Sequence, residues 1–146
     1  MLRSKAMRRN MQEVLERWGR WAASEEYCSL VDWPAMSVTP GRKPEAGKPG
    51  CSDEDGMAID TCVAHMSTVR HAEDILILGQ RFIGGHSTRF IAEAMDIPRM
   101  QVRASLNASE EFLEGCLVAM AVRLDMDPIV VLPEPLAGAQ KPVLIF

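Results

Sequence analysis

No stretch of this 146-residue chain is apolar for long enough to cross a bilayer, which takes about 20 consecutive apolar residues. No apolar run follows the basic pair Arg8 and Arg9, so a signal peptide is not expected and a cytoplasmic location is. Aromatic residues are scarce at 5% of the chain, and ten methionines take over part of the apolar inventory. A phosphate loop of the GxxxxGK kind is missing; Gly84-Gly85 reads as a helix stop. His65, His71 and His86 have no partners at spacings that suggest a triad. Asp53, Glu54 and Asp55 look like partners of a helix dipole and not like a nuclease carboxylate set. These absences exclude the familiar catalytic constellations, so neither an enzyme nor a cofactor is expected.

Paired cysteines are also missing. Cys28, Cys51, Cys62 and Cys116 contain no Cys-x-x-Cys, and in a cytoplasmic protein they read as reduced thiols. Cys62 and His65 lie three residues apart on a probable helix, and Cys28 and Cys51 are the residues that would complete a zinc set. Zinc-finger spacings are tighter and paired, so small buried thiols are the favoured reading and no metal is expected.

A surplus of positive charge is missing as well: the net charge is −4. The distribution is uneven, with residues 1–20 at +4 and residues 107–146 at −4. Phosphate contacts supply most non-specific affinity for DNA. A chain with this balance is expected to hold DNA weakly alone and to need a second partner.

What is present is helical periodicity. Residues 3–23 read as an amphipathic helix, with Met7, Met11, Val14, Leu15, Trp18 and Trp21 on its apolar face. Arg8, Arg9, Arg17 and Arg20 flank that face and are candidate contacts to polymerase or nucleic acid. Prolines and glycines break the chain over 34–51, a loop made locally basic by Arg42, Lys43 and Lys48. The readings are a solvated linker or a contact with a phosphate backbone or protein groove. Ser52 then opens a helix, with Asp55 in the place of a capping-box partner and Met57, Ile59, Val63 and Met66 as its apolar series. Ala72 to Phe82 forms the next helix, packing through Ile75, Leu76, Leu78, Gly79 and Phe82.

The stretch from Ser87 to Asn107 carries the sharpest signal. Ser87 can cap a helix in which Ile91 and Met95 point inward and Ala92 is small enough for a close crossing. Asp96 takes a turn position that tolerates left-handed geometry, and Pro98 sits where a second helix begins. Val102 and Leu106 continue the buried stripe. Arg99, Met100, Gln101, Arg103, Ala104 and Asn107 are left pointing outward, with Arg89 on the first helix. Arg, Gln and Asn carry the forked donors and acceptors that match base edges in a major groove. This is a helix-turn-helix pattern directed at double-stranded DNA. The second helix is expected to continue to about Leu124, with Gly115 at a close crossing or kink and Asp127-Pro128 as its stop. The expected class is mostly α: one small helical domain over 1–128, then an extended, Pro-interrupted tail over 129–146.

Three segments together resemble the Q-type late-gene antitermination proteins of lambdoid phages. They are LERWGRW with Trp18, Gly19 and Trp21, followed by Tyr27 and the Pro34–Ser37 segment; SDEDGMAID after the Pro/Gly-rich loop; and a unit from Phe82 to Leu117 similar to region 4 of sigma factors. The resemblance spans roughly residues 11–120. The second helix is less basic than the pattern, with Ala104 and Ser105 where Arg is frequent, and the tail beyond Met126 has no counterpart. The resemblance implies a protein that binds a DNA element at a late promoter and loads onto paused bacterial RNA polymerase that still holds sigma. It then modifies the RNA exit channel so that terminators are read through. The resemblance also implies two copies cooperating on the DNA and polymerase. The alternatives are a stand-alone helix-turn-helix regulator, or an anti-sigma or anti-activator protein that uses the same unit for protein contacts.

Overall fold

The computed structural model describes residues 9–24, Trp33 and residues 48–128. Among them are five helices and no strand: α1 (Met11–Ala22), α2 (Asp53–Val69), α3 (Ala72–Phe82), α4 (Thr88–Met95) and α5 (Arg99–Ala119). The mostly helical class is therefore as expected. The 129–146 tail and the 34–47 part of the loop lie outside the described residues, as do Arg8, Cys28, Arg42 and Lys43. No described helix is long and apolar enough to cross a membrane.

Helix α5 packs against all four other helices and is the spine of the fold. Its Val102, Leu113 and Leu117 meet Ile59, Val63 and Met66 of α2, Ile77 and Leu78 of α3 and Ile91 of α4 in a core where all of these are fully buried. Helix α1 adds Leu15 and Trp18, also fully buried. Burying side chains of this size stabilises by about 1.5–3 kcal/mol each, so this layer carries most of the driving force for folding.

The Trp-Gly-x-Trp segment has a packing role at every position. Gly19 lies against the backbone of α3, where an added Cβ would overlap the Phe82 carbonyl. Trp21 was expected in the core but is only half-buried. Its ring lies over Gly56 of α2, where a Cβ would meet the indole, and its Nε1 donates to Asp53 at 2.9 Å. Thus α1 is seated by one glycine of its own and one of its neighbour's.

Several expected boundaries move. Helix α1 starts at Met11, because the Asn10 side chain accepts from the Glu13 N–H at 3.2 Å and ends the extended segment that holds Arg9. Ser52 caps α2 as expected, accepting from the Asp55 N–H at 3.1 Å. The Asp55 carboxylate does not close a capping box. It accepts instead from the backbone N–H groups of Asp125 and Met126, at 3.0 and 3.3 Å. Met57 faces outward, and on α3 Ile77 replaces Leu76 as the fully buried residue. Helix α5 stops at Ala119, short of Leu124. Ala121 adopts φ 56°, and Val122 donates back to the Leu117 carbonyl at 2.9 Å, closing a left-handed C-terminal motif without glycine. Gly115 is exposed with open space around it, so it marks neither a crossing nor a contact.

Candidate nucleic-acid interface

The α4–turn–α5 unit is assembled by local hydrogen bonds. Ser87 accepts from the Phe90 N–H at 3.0 Å and starts α4. Asp96 ends it at φ 56°, ψ 49°, the left-handed region that Asp enters at less cost than most residues. Ile97 donates to the Ala92 carbonyl at 3.0 Å and Asp96 to the Glu93 carbonyl at 3.3 Å, which closes the turn in three residues. Pro98 is extended at φ −65°, and its carbonyl accepts from Gln101 and Val102 as α5 begins. Ile91 and Ala92 are buried in the crossing, with Val102 and Leu106 on the other side.

A buried polar link fixes α5 against α3. Ser105 Oγ donates to Asp74 Oδ1 at 2.6 Å, and Arg70 donates to Asp74 Oδ2 at 3.2 Å. Ser105, which departs from the Arg-rich pattern, is thus turned inward; an Arg there would have to leave the core side of the helix. Asp74 and its bond to Ser105 were not read from the sequence. Only the four-residue spacing of Arg70, just after α2, and Asp74, in the first turn of α3, hints at them.

Arg99, Met100, Gln101, Arg103, Ala104 and Asn107 are all exposed on the first two and a half turns of α5, and Arg89 is exposed at the start of α4. Met100 is the most exposed large hydrophobic described, at 78%. Gln101 donates to Glu73 of α3 at 3.1 Å, a bond at the surface that it must exchange to reach another partner. Beyond Asn107 the helix turns acidic, with Glu110, Glu111 and Glu114. Burial and the neighbouring Glu114 raise the pKa of the Glu110 carboxyl. Only the first half of α5 is electrostatically suited to phosphate.

Among the other candidate cations, Arg9, Arg17 and Arg20 serve the fold. Arg9 clamps Asp127 with two bonds, at 2.8 and 2.7 Å, and also donates to the Val122 carbonyl. Arg17 donates to the Gly50 carbonyl at 2.8 Å and Arg20 to the Pro49 carbonyl at 2.6 Å. Together they tie α1 to the end of the loop and to the segment after α5. Lys48 is exposed. The acceptors they meet lie 29 to 118 residues away, beyond the reach of local pattern.

The cysteine set is dispersed. Cys62 is fully buried, Cys51 is half-buried and His65 is exposed. Among the described residues no three His, Cys, Asp or Glu side chains stand together as a metal site. Burial, helped by the nearby Asp55, pushes the Cys51 thiol up to about 11. Burial and the adjoining Cys116 raise that of Cys62 too. Both shifts disfavour the thiolate that a metal needs.

Fold and surface together define a small, mostly helical protein whose described residues present an exposed polar helix end. Comparison with known proteins narrows the class. The family of phage antitermination protein Q matches residues 8–125. A probable antitermination protein Q of Acyrthosiphon pisum secondary endosymbiont phage 1 is 41% identical over 138 residues, covering 92% of each chain. Antitermination protein Q of Escherichia phage 933W is 32% identical over 122 residues, 82% of this chain and 83% of that one. The prophage antitermination protein Q homolog QuuD of Escherichia coli K12 is 30% identical over 128 residues, 84% of this chain and 96% of its own. No solved structure matches. The chain belongs to the phage antitermination protein Q family, a family of transcription regulators.

Proposed function

We propose that this protein is a phage antitermination factor in the bacterial cytoplasm, reading a DNA element at a late promoter through α5 and loading from it onto RNA polymerase. The observation that carries this reading is the exposure of Arg99, Arg103 and Asn107 along the first turns of α5. The turn at Asp96 and the Asp74–Ser105 bond hold them in place. The arginines have the fork that matches guanine, and Asn107 has the amide that matches adenine. Arg89 at the start of α4 is placed to meet the flanking backbone.

The acidic second half of α5 and the net charge of −4 make a tight stand-alone complex with DNA unfavourable. Polymerase with bound sigma supplies the missing affinity in this account. Once loaded, the protein alters the RNA exit channel so that terminator hairpins fail to form. No covalent step is required. Footprinting on the phage late promoter, with and without paused polymerase holding sigma, tests the reading. Protection that needs polymerase supports it. Full protection by the protein alone, over a palindrome, favours a stand-alone regulator instead.

A further inference from the structure

Five charged or amide side chains form one stripe along α5: Arg99, Arg103, Asn107, Glu110 and Glu114. At 3.6 residues per turn they fall within an arc of about 80°. The order of charge along the stripe is two cations, an amide, then two anions, and it is symmetric about a point next to Asn107. A second α5 laid antiparallel on the first about that point sets Arg103 opposite Glu110 of the other copy, and Arg99 opposite Glu114. The two-fold repeats both pairs, and the two Asn107 amides meet near the axis. The acidic half of the stripe also lines an open groove, whose other wall runs from Arg9, itself clamped to Asp127, to Gln12 at the start of α1. Met100 and Val118, both exposed, lie on one side of the stripe at its two ends, so the antiparallel arrangement brings each toward the other's copy.

We infer that a second copy of this chain docks antiparallel along α5, pairing Arg103 with Glu110 and Arg99 with Glu114 across a two-fold axis. The dimer hides the side chains assigned to DNA, so self-association and DNA binding exclude each other. That consequence rests on the proposed reading face; the dimer itself does not. Exposed ion pairs are individually weak and screened by salt, so the dimer forms at high protein concentration and low ionic strength.

Sedimentation equilibrium of the full chain without DNA tests the interface. The wild type should dimerise at low salt and dissociate at high salt. Arg103→Glu or Glu110→Arg alone should weaken the dimer by about tenfold or more, because each sets like charges face to face. The double variant Arg103→Glu/Glu110→Arg should regain dimerisation, since the pair is then reversed but complementary. Circular dichroism confirms that each variant is folded, as expected for side chains at the surface. A wild type that stays monomeric at millimolar concentration overturns the proposal. So does a dimer that ignores the single reversals, or a double variant that fails to recover. Adding promoter DNA then examines the separate claim: dissociation into DNA-bound monomers supports mutual exclusion, and a dimer that persists on DNA overturns it.

Discussion

Replacing Gly19 with Ala opposes two effects of known sign. In an exposed helix interior the change stabilises by roughly 1 kcal/mol, because Ala loses less backbone entropy than Gly. Here the added methyl would overlap the carbonyl and carbonyl carbon of Phe82 and press on its Cβ. Two of these three are backbone atoms at the last turn of α3, so no rotamer change relieves them. The helices must part by about 1 Å, which forfeits a good share of the dispersion energy along that seam. The seam includes Trp18 and Leu15, both fully buried. Overpacking of this kind costs about 1–3 kcal/mol and occasionally more, and a backbone clash belongs at the upper end. The net expectation is destabilisation by about 2 kcal/mol, seen as a melting temperature lower by roughly 5–10 °C. Thermal unfolding followed by circular dichroism reads this directly. An unchanged or raised melting temperature would refute the close α1–α3 crossing.

Trp18→Ala should destabilise by about 3–5 kcal/mol in denaturant titration, since the ring is fully buried against the core and beside Trp33. Asp74→Ala removes the acceptor of Ser105 and Arg70, and should cost about 1–3 kcal/mol while weakening DNA binding through loss of α5 alignment. Glu110 has a folded pKa above the ordinary carboxylate value of 4.5, so it binds its proton more readily in the native state. Its contribution is greatest below that value and is lost as pH rises through the folded pKa. Glu110→Gln should therefore raise the melting temperature relative to wild type at neutral pH, and the difference should vanish in acid.

What the sequence made legible was local. Ser87, Asp96 and Pro98 mark the turn unit because capping and left-handed geometry are decided within a few residues. Val102 and Leu106 mark the buried side because helical period is local too. The end of α5 was misplaced because Ala121 takes a conformation that its own side chain does not favour. The fold enforces that conformation by burying Leu124 and by fastening the following residues to Asp55 and Arg9. Arg9, Arg17 and Arg20 were legible as cations on α1 or at its start, but not as clamps, because their acceptors come from distant segments. Ser105 looked like a gap in a basic face until Asp74, 31 residues earlier, turned it inward. The reading side chains of α5 stand out in the sequence since exposure there follows from the period alone; their assignment to DNA remains the proposal.

Transcription in vitro with bacterial RNA polymerase and sigma tests the central claim most directly. The template carries the phage late promoter region followed by an intrinsic terminator, and the protein is compared with its Arg99→Ala/Arg103→Ala variant. The account predicts readthrough that needs both the wild-type protein and the promoter-proximal DNA, and that falls by at least tenfold in the folded variant, as loss of two base-reading arginines implies. Readthrough that survives both substitutions, or that needs no promoter DNA, would contradict it.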